Sequence, residues 1–363
     1  MTVPNDNKQV SNDLNKSLSN SNITPEDVLS DISSAINNVL PEYFAFAFAF
    51  KFNIYFLMKL KDDSSIESTV NAMLPLFLDS SLNVDINRTT EGISLLYAAC
   101  TGGKENIVNL LLTQPGIDVN IANEDGFTPL TCAIRYGYKR IVQLLLEHND
   151  IDVNKADNDG RTPLYKACNK GHTEVVELLL QASADINNPC KEDWTPLNLA
   201  CDEGYTEIVK LLLQAGADIN KPSKLGWTPL ISSSEKGNLE IVETLLKHED
   251  ININESMRSG GTALFMACWS GRYNVVKMLL ACKDIDINKS DVYETIPLYV
   301  ACEGGYSTIV ELLLSDSRFK KNKSDLEDSL NIATVFNHTK IIELLQSHYD
   351  YDKNPRPMKV ARH

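Results

Sequence analysis

A short motif returns along the chain at steps of 33 or 34 residues, and this period limits the possible folds more than any other feature. The motif reads Thr-Pro-Leu and begins at Thr128, Thr162, Thr195 and Thr228. Looser copies begin at Ser94, Thr262 and Ile296. A segment of this length cannot bury its apolar face alone. Copies that keep one register therefore predict a stack in which each unit covers the next.

One copy, from Asp159 to Asn187, shows the pattern within each unit. After a turn, Leu164, Ala167 and Cys168 stand at the i, i+3, i+4 spacing of one helix face. A wider apolar run at 175–180 then indicates a second, longer helix. The unit closes with an Asp-Ile-Asn segment that leads into the next turn. The sequence therefore predicts a turn, a short helix and a longer helix in every copy.

These features together resemble the ankyrin repeat. The resemblance covers Glu91 to about His348 and includes seven clear copies, with degenerate N- and C-terminal caps. It implies an all-α ankyrin-repeat solenoid of stacked helix-turn-helix units joined by β-hairpin loops. In this family the hairpin tips and the short helices line a concave face, and that face usually holds a protein partner.

Helix starts and stops follow from the same motifs. The Thr-Pro-Leu threonine predicts a helix N-cap, with proline at the first helical position. Glycine ends the first helix of every clear copy, at Gly103, Gly137, Gly171, Gly204, Gly237, Gly271 and Gly305. A left-handed backbone is cheap only for glycine. We therefore expect Gly171→Val to cost more than a typical surface change.

Two departures from the family pattern bear on stability. Histidine usually follows Thr-Pro-Leu and ties neighbouring hairpins, but this slot holds Tyr97, Thr131, Tyr165, Asn198, Ile231, Phe265 and Tyr299. That hydrogen-bond network is therefore not expected here. The fifth copy has Ser232, Ser233 and Ser234 where alanines are typical. We expect this copy to be the softest joint of the stack.

Composition divides the chain into four segments. Residues 1-41 are rich in Asn and Ser and are predicted to be disordered. Residues 42-90 are predicted to hold an N-terminal packing helix and a degenerate half-repeat. The ankyrin repeat domain follows at 91-348, and 349-363 is predicted to be a flexible C-terminal tail. No secretory signal is recognised in the first 40 residues, so a cytoplasmic location is expected.

The Phe/Ala-rich run at 43–60 allows three interpretations. It can be a helix packed on the first repeat, a membrane or partner anchor, or an irregular segment. The run is near the minimum length for a membrane span, and Lys51 lies in its middle, where a charge is costly. A membrane contact is therefore expected only through this segment.

Charge and cysteine content narrow the class of partner and compartment. The formal net charge is −15 with an isoelectric point near 4.9, which argues against nucleic acid as a partner. Five of the eight cysteines, Cys100, Cys168, Cys201, Cys268 and Cys302, occupy one repeat slot. Equivalent slots on packed helices lie about 8–10 Å apart, too far for a disulfide or a zinc site. We expect buried thiols in a reducing compartment.

Catalysis finds little support in the sequence. No nucleophile elbow, phosphate-binding glycine loop or Cys-x-x-Cys pair is present, and the histidines are scattered. We therefore expect no enzyme activity, no catalytic residues, no cofactor, no metal and no small-molecule substrate. The Asp-x-Asn motifs resemble sites that asparagine hydroxylases modify in ankyrin proteins. Their residue types favour a turn-forming role, in which each side chain bonds its own backbone.

The resemblance leaves a protein partner as the expected ligand of a monomeric scaffold or adaptor. Aromatic and arginine side chains dominate such interfaces. The candidates in the hairpin slot and at the first-helix ends are Phe127, Tyr136, Arg161, Trp194, Trp227 and Trp269. Alternatively, these residues only cover neighbouring hairpins. A second function hypothesis is a membrane-associated regulatory protein anchored through 43-60, and a third is an enzyme with an unrecognised centre.

Overall fold

The computed structural model describes residues 86–89, 92–320 and 322–348. Within these ranges sixteen helices form eight consecutive pairs, and no strand of a sheet is present. The predicted all-α repeat-solenoid class is confirmed. Residues 1-41, the tail 349-363 and nearly all of the segment 42-90, with its predicted packing helix, half-repeat and Phe-rich run 43–60, lie outside the described residues. Their assignments stay predictions, as does the count of seven repeats.

The chain divides into two compact units, Met1–Asp152 and Val153–His363. In the described part of the first unit, each pair has a first helix and a second helix. The pairs are α1 (Leu95–Thr101) with α2 (Glu105–Leu112), and α3 (Pro129–Tyr136) with α4 (Lys139–Leu146). Here α1 packs on α3 and α2 packs on α4.

The second unit repeats this arrangement six times. Its first helices are α5 (Pro163–Lys170), α7 (Pro196–Glu203), α9 (Pro229–Lys236), α11 (Ala263–Trp269), α13 (Pro297–Glu303) and α15 (Lys323–Val335). Its second helices are α6 (Thr173–Gln181), α8 (Thr206–Gln214), α10 (Leu239–Leu246), α12 (Tyr273–Leu280), α14 (Ser307–Ser315) and α16 (Thr339–His348). Within this unit, consecutive first helices pack together, and so do consecutive second helices.

The helices begin and end where the repeat motif predicts. The threonine caps are present: the Thr195 hydroxyl accepts from the backbone N–H of Asn198, and Pro196 opens α7. All seven predicted glycines have left-handed backbones, with φ of 67° at Gly171. A Cβ added at Gly171 would also lie 2.8 Å from the ring of Tyr205. Backbone conformation and close packing therefore both exclude a larger residue there.

The core runs between the helix rows of each unit. Helix α5 contributes Leu164, Ala167 and Cys168 to the core, and α6 contributes Val175, Val176 and Leu179. All six side chains are at most 3% exposed. The five cysteines of the shared slot are completely buried and free, as predicted. Helix propensity alone would not hold such short helices, so the stability of each pair depends on its neighbours.

The asparagines of the closing motif connect successive repeats rather than forming turns. The Asn254 amide donates to the Asp284 carbonyl at 2.7 Å and accepts from the Asp286 N–H at 2.8 Å. Equivalent bonds reach the next repeat from Asn154, Asn187, Asn220 and Asn288. The turn-forming interpretation is therefore wrong for these asparagines. An amide offers both a donor and an acceptor, which match a backbone carbonyl and an N–H two residues apart.

The aspartates of the same motif do what the sequence indicated. Asp218 accepts from the backbone N–H of Asn220 at 3.0 Å, and Asp286 accepts from that of Asn288 at 3.0 Å. Each aspartate therefore fixes the local turn. That turn points the asparagine amide at the following repeat.

Candidate functional site

The turns that precede the first helices of the second unit form a row of short projections. In the turn before α7, the N–H of Cys190 donates to the Trp194 carbonyl and the N–H of Asp193 donates to the Cys190 carbonyl. Asp193 has φ of 58°, where three other turns of this unit have Gly160, Gly226 and Gly260 and the last has Glu294. These bonds have hairpin form but are too few to make a strand. They hold the side chain at position 194 in a fixed direction.

Backbone hydrogen bonds also join each turn to the next. The donor N–H groups of Lys191, Lys224, Arg258 and Val292 pair with the carbonyls of Asp159, Glu192, Leu225 and Ser259 at 2.9–3.0 Å. Five successive turns are therefore linked within this unit. A surface built on them is preorganised, which lowers the cost of ordering when a partner binds.

A cavity of about 440 Å³ opens between the first two of these turns and the helices below them. Its walls are Asp159, Arg161, Tyr165, Cys190, Lys191, Glu192, Trp194, Leu199 and Asp202. Trp194 and Arg161 are half-buried, so parts of both side chains remain available. The cavity thus combines aromatic, aliphatic and charged side chains.

Arg161 is held by two carboxylates of its own turn. Its Nε donates to Asp157 at 3.0 Å, and it also forms an ion pair with Asp159. Asp157 is 7% exposed and accepts from Lys166 and from the backbone N–H groups of Asp159 and Arg161. Burial alone would raise the pKa of Asp157, but the hydrogen bonds from Lys166 and Arg161 lower it below its usual value. The charges at this wall therefore compensate one another.

Tyr165 and Cys190 complete the wall behind Trp194. Burial, and then the neighbouring Cys190 thiol, raise the pKa of Tyr165 above its usual range. The phenol therefore stays neutral near pH 7. Neither residue was among the predicted binding residues.

Two carboxylates lie near the ends of the first helices beside the cavity. Asp202, near the end of α7, lines the cavity, and Glu235 holds the equivalent position on α9. Lys236 lies between them, with its Nζ 3.6 Å from Asp202 and 3.8 Å from Glu235. All three side chains are partly exposed, so this is a surface interaction that contributes about 0–1 kcal/mol.

Two of the six predicted partner-binding residues, Arg161 and Trp194, line one cavity. Trp227 is half-buried in the next turn, and its carbonyl accepts from Asn198. Trp269 is 56% exposed at the end of α11, on a helix rather than on a turn. Neither of these tryptophans belongs to the cavity walls. The structure thus brings only Arg161 and Trp194 together at one cavity, and the binding role of all six residues stays a prediction.

The other two predicted residues belong to the first unit. Phe127 is half-buried in the turn before α3, and its backbone N–H donates to the Asn123 side chain at 2.8 Å. Tyr136 is 49% exposed at the end of α3 and stacks on Tyr138, with ring centroids 5.8 Å apart. Arg135 lies 5.9 Å from the Tyr136 ring. These residues offer a second aromatic surface within their own unit.

Sequence reasoning missed Tyr165, Cys190 and Leu199 as cavity walls. Tyr165 and Leu199 stand three and four residues after the threonine caps Thr162 and Thr195. Tyr165 contacts Cys190 of the following turn, and Leu199 lines the same cavity. Tyr165 stands in the slot where the family pattern has the histidine that ties neighbouring hairpins, and this repeat position was the available signal for its contact with the next turn.

Few of the described residues have the properties that catalysis or metal binding requires. Burial raises the pKa of the shared-slot thiols Cys168, Cys201 and Cys268 above the usual range, and that of Cys302 to about 12. No group of three or more potential metal ligands occurs within the described ranges. In the same ranges, every helix falls short of the length and apolarity that crossing a bilayer requires.

Comparison with family models gives three matches to ankyrin repeats, at residues 66–157, 149–223 and 220–291. Together they span more than half of the chain. A separate comparison with curated proteins found no match. The family match includes the turns and helices that form the cavity at Trp194, so this surface lies within matched repeats.

Proposed function

Because the chain belongs to the ankyrin-repeat family, whose members are generally protein–protein interaction modules, we propose that it is a non-enzymatic scaffold or adaptor. In this proposal a partner protein binds along the turns and first helices of the second unit. We name this surface the turn face and define it by the turns at 157–161, 190–194 and 223–227 with helices α5, α7 and α9.

The observation that carries the proposal is the cavity beside Trp194. Tryptophan and arginine are the residues that most often dominate binding energy at protein interfaces. Here Trp194 and Arg161 share a cavity of about 440 Å³ whose lining also includes Tyr165 and Leu199. A concave surface with an aromatic wall and a few placed polar groups is what a protruding partner side chain requires.

The surrounding chemistry supports binding rather than catalysis. The carboxylates with lowered pKa values, such as Asp157 and Asp316, pair with basic groups of the same chain. The buried thiols have raised pKa values, which opposes a nucleophilic role. We also propose a cytoplasmic, monomeric protein, since fully buried free cysteines fit a reducing compartment.

Proximity labelling in cells tests this proposal. The intact chain is compared with the double variant Trp194→Ala/Trp227→Ala, which removes both turn-face tryptophans. Leu239→Ala/Tyr273→Ala is the matched control, since both residues are partly exposed at the starts of α10 and α12. We expect labelling of specific partners to fall roughly tenfold in the tryptophan variant and to persist in the control. An unchanged partner set in the tryptophan variant, with normal helical content, would overturn the proposal.

A further inference from the structure

We propose that a second interaction site lies at the end of the row of turns, beyond the turn at 291–295. Its occupant is a tight turn of another protein that has an apolar tip and a free backbone N–H at its second residue. The site lies outside the turn face, so this inference goes beyond the proposed function and does not depend on it. It follows from the hydrogen bonds that join the turns and from the conformation of the segment that corresponds to the next turn.

The five turns of the row share one pattern of backbone hydrogen bonds. From the second turn onwards, the second residue of each turn donates its N–H to the carbonyl of the third residue in the preceding turn. In the last turn, Val292 donates in this way to Ser259 at 2.9 Å. The carbonyl in the equivalent acceptor position is that of Tyr293. Among the described residues, none donates a hydrogen bond to it.

The repeat register assigns residues 325–329 to the next turn. The sequence Lys-Ser-Asp at 289–291 returns at 323–325. Asn288 also bonds residues 30 and 32 positions ahead, as Asn254 does one repeat earlier. The chain therefore has the residues for another turn at the place where the row would continue.

These residues form helix instead of a turn. Residues 325–329 belong to the N-terminal part of α15. Leu326, which corresponds to Val292, donates its N–H to the Asn322 carbonyl at 3.1 Å. It is also 4% exposed, so packing holds it in the helix. The donor that would extend the row is therefore used within α15, and the Tyr293 carbonyl is left for another molecule.

The uncovered edge of the last turn offers an acceptor and no donor. The Asp291 side chain accepts from the backbone N–H groups of Tyr293 and Thr295 at 2.9 and 2.8 Å. The N–H of Glu294 donates to the Asp291 carbonyl within the turn at 3.2 Å. Two copies of the chain that met through this edge would therefore place acceptor against acceptor. The occupant must bring the donor, and an edge with an unpaired backbone group is a template for such pairing with another protein.

The side chain of Glu294 is compatible with a neighbouring turn. Gly226 and Gly260 hold the same position, and a Cβ there would lie 2.7 and 2.6 Å from the next turn. Those two junctions therefore require glycine. Asp193 also holds this position, with φ of 58° against 64° for Glu294, and Lys224 of the next turn still donates to the row at 3.0 Å. The junction at Glu294 is of this second kind.

The last tip of the row is apolar, whereas the tips of the first two turns carry only polar side chains. Val292 and Tyr293 are 60% and 82% exposed. Arg258 and Glu294 are exposed in the same turn and the one before it with opposite charges, so charge does not select the occupant. A turn in the same register brings its own tip beside Val292 and Tyr293. An apolar side chain there is removed from water together with theirs, which favours an apolar tip.

Selection of displayed cyclic peptides against the full chain tests the inference. The library closes a turn of about four random residues with a disulfide. We expect enrichment of turns with apolar tips, and the binding of selected peptides should fall roughly tenfold in Val292→Ser/Tyr293→Ser, which removes the apolar tip. Val335→Ser/Phe336→Ser is the matched control, since this second valine–aromatic pair is 71% and 52% exposed at the end of α15. The control should bind the peptides as wild type does.

A backbone change in the selected peptide tests the hydrogen bond itself. Replacing the amide of its second turn residue by an ester removes the N–H and keeps the shape, and should weaken binding roughly tenfold. The same replacement at the third residue should leave binding unchanged. The inference is overturned by no enrichment, by enrichment of charged tips, by equal binding to Val292→Ser/Tyr293→Ser, or by a second-residue ester that binds as well as the amide.

Sedimentation equilibrium of the chain alone tests the other occupant, a second copy. We expect a monomer at the concentrations used for selection. A dimer that Val292→Ser/Tyr293→Ser dissociates, and Val335→Ser/Phe336→Ser does not, would assign the edge to self-association and overturn the inference.

Discussion

In α7 the buried Asn198 side chain has a partner for each of its polar atoms, whereas in the adjacent helix α9 the buried hydroxyls of Ser232 and Ser234 have none within the described residues. All three residues are 0% exposed. Asn198 donates to the carbonyls of Lys221 and Trp227 and accepts from Thr195. One helix thus uses its buried polar group to hold the next turn, and the other does not.

The difference shows what a buried polar side chain does for a repeat stack. A buried group with partners adds a modest net stability and fixes the geometry of its neighbours. A buried group without partners keeps its full desolvation penalty, about 1–3 kcal/mol. The turn at 157–161 belongs to the first class, because Asp157 accepts four hydrogen bonds. The two classes should respond in opposite directions to removal of the polar group.

The largest effect is expected for Asp157→Ala. The change removes a buried carboxylate that pairs with Lys166, whose side chain is 12% exposed. Breaking such a pair typically costs about 3 kcal/mol or more. Urea unfolding followed by circular dichroism would measure the loss. The comparison fails if Asp157→Ala is no more destabilising than Asp159→Ala, which removes a 61% exposed carboxylate in the same turn.

Asn198→Ala should follow, with a loss of about 2 kcal/mol. It leaves the carbonyls of Lys221 and Trp227 without this donor and removes the side-chain partner of the Thr195 backbone. The same urea titration measures the effect. Asn198→Asp is the sharper variant, because it keeps the acceptor and loses the donor. A loss below that of an exposed control such as Asn169→Ala would contradict this role for Asn198.

The pH dependence of Asp157→Asn distinguishes charge from shape. The folded-state pKa of Asp157 lies below its value in the unfolded chain, near 3.9. Its contribution to stability is therefore complete above that pH and is lost as pH falls through the folded-state pKa. The difference in unfolding free energy between wild type and Asp157→Asn should shrink as pH falls from 6 towards 3. A constant difference would show that the charge contributes nothing.

Removal of the hydroxyls of α9 should have a smaller effect of opposite sign. Ser232→Ala and Ser234→Ala each remove a buried group without a partner, and each should raise stability by about 1 kcal/mol. Ser233→Ala is the matched control, because the Ser233 hydroxyl donates to the Pro229 carbonyl at 2.8 Å. It should have little effect or a small cost. Destabilisation by both of the first two changes would refute the comparison.

The smallest expected signal is local opening of α9 in native-state hydrogen exchange. Its core is less apolar than that of α7, because Ser233 and Ser234 replace Ala200 and Cys201 at equivalent positions. Amides of α9 should exchange faster than those of α7 under conditions in which the stack remains folded. Ser232→Ala/Ser234→Ala should reduce the difference. Equal protection of the amides in α7 and α9 would contradict the prediction that the fifth copy is the softest joint.

Several features followed from the sequence because they depend on local rules. The threonine caps, the proline starts and the left-handed glycines were all predicted correctly, since each is decided within about four residues. The buried cysteines were also predicted, because one slot recurs at the same register in each repeat. Asn337 shows the limit of residue type, since it holds φ of 58° where the clear repeats have glycine.

Other features could not be predicted because they join residues about 30 positions apart. The closing-motif asparagines were expected to bond their own turns, yet they bond the following repeat. Because Asn198 replaces the histidine of the family pattern, the hydrogen bonds between hairpins were not expected here. The Asn198 amide nevertheless donates to the carbonyls of Lys221 and Trp227 in the next repeat. In both cases the side-chain type was compatible with local and distant partners alike. Only the distance between repeats selects between them.

The sequence by itself determined the repeat, its register and the helix boundaries, because these depend on short-range propensity and on a period that is visible in the letters. Only the tertiary structure decided which side chains meet across repeats. Three features depend on how one repeat packs on the next within the second unit. They are the cavity beside Trp194, the position of Lys236 between Asp202 and Glu235, and the serine hydroxyls of α9 that have no partner within the described residues. Packing brings equivalent positions within reach of each other, and a linear pattern does not record that distance.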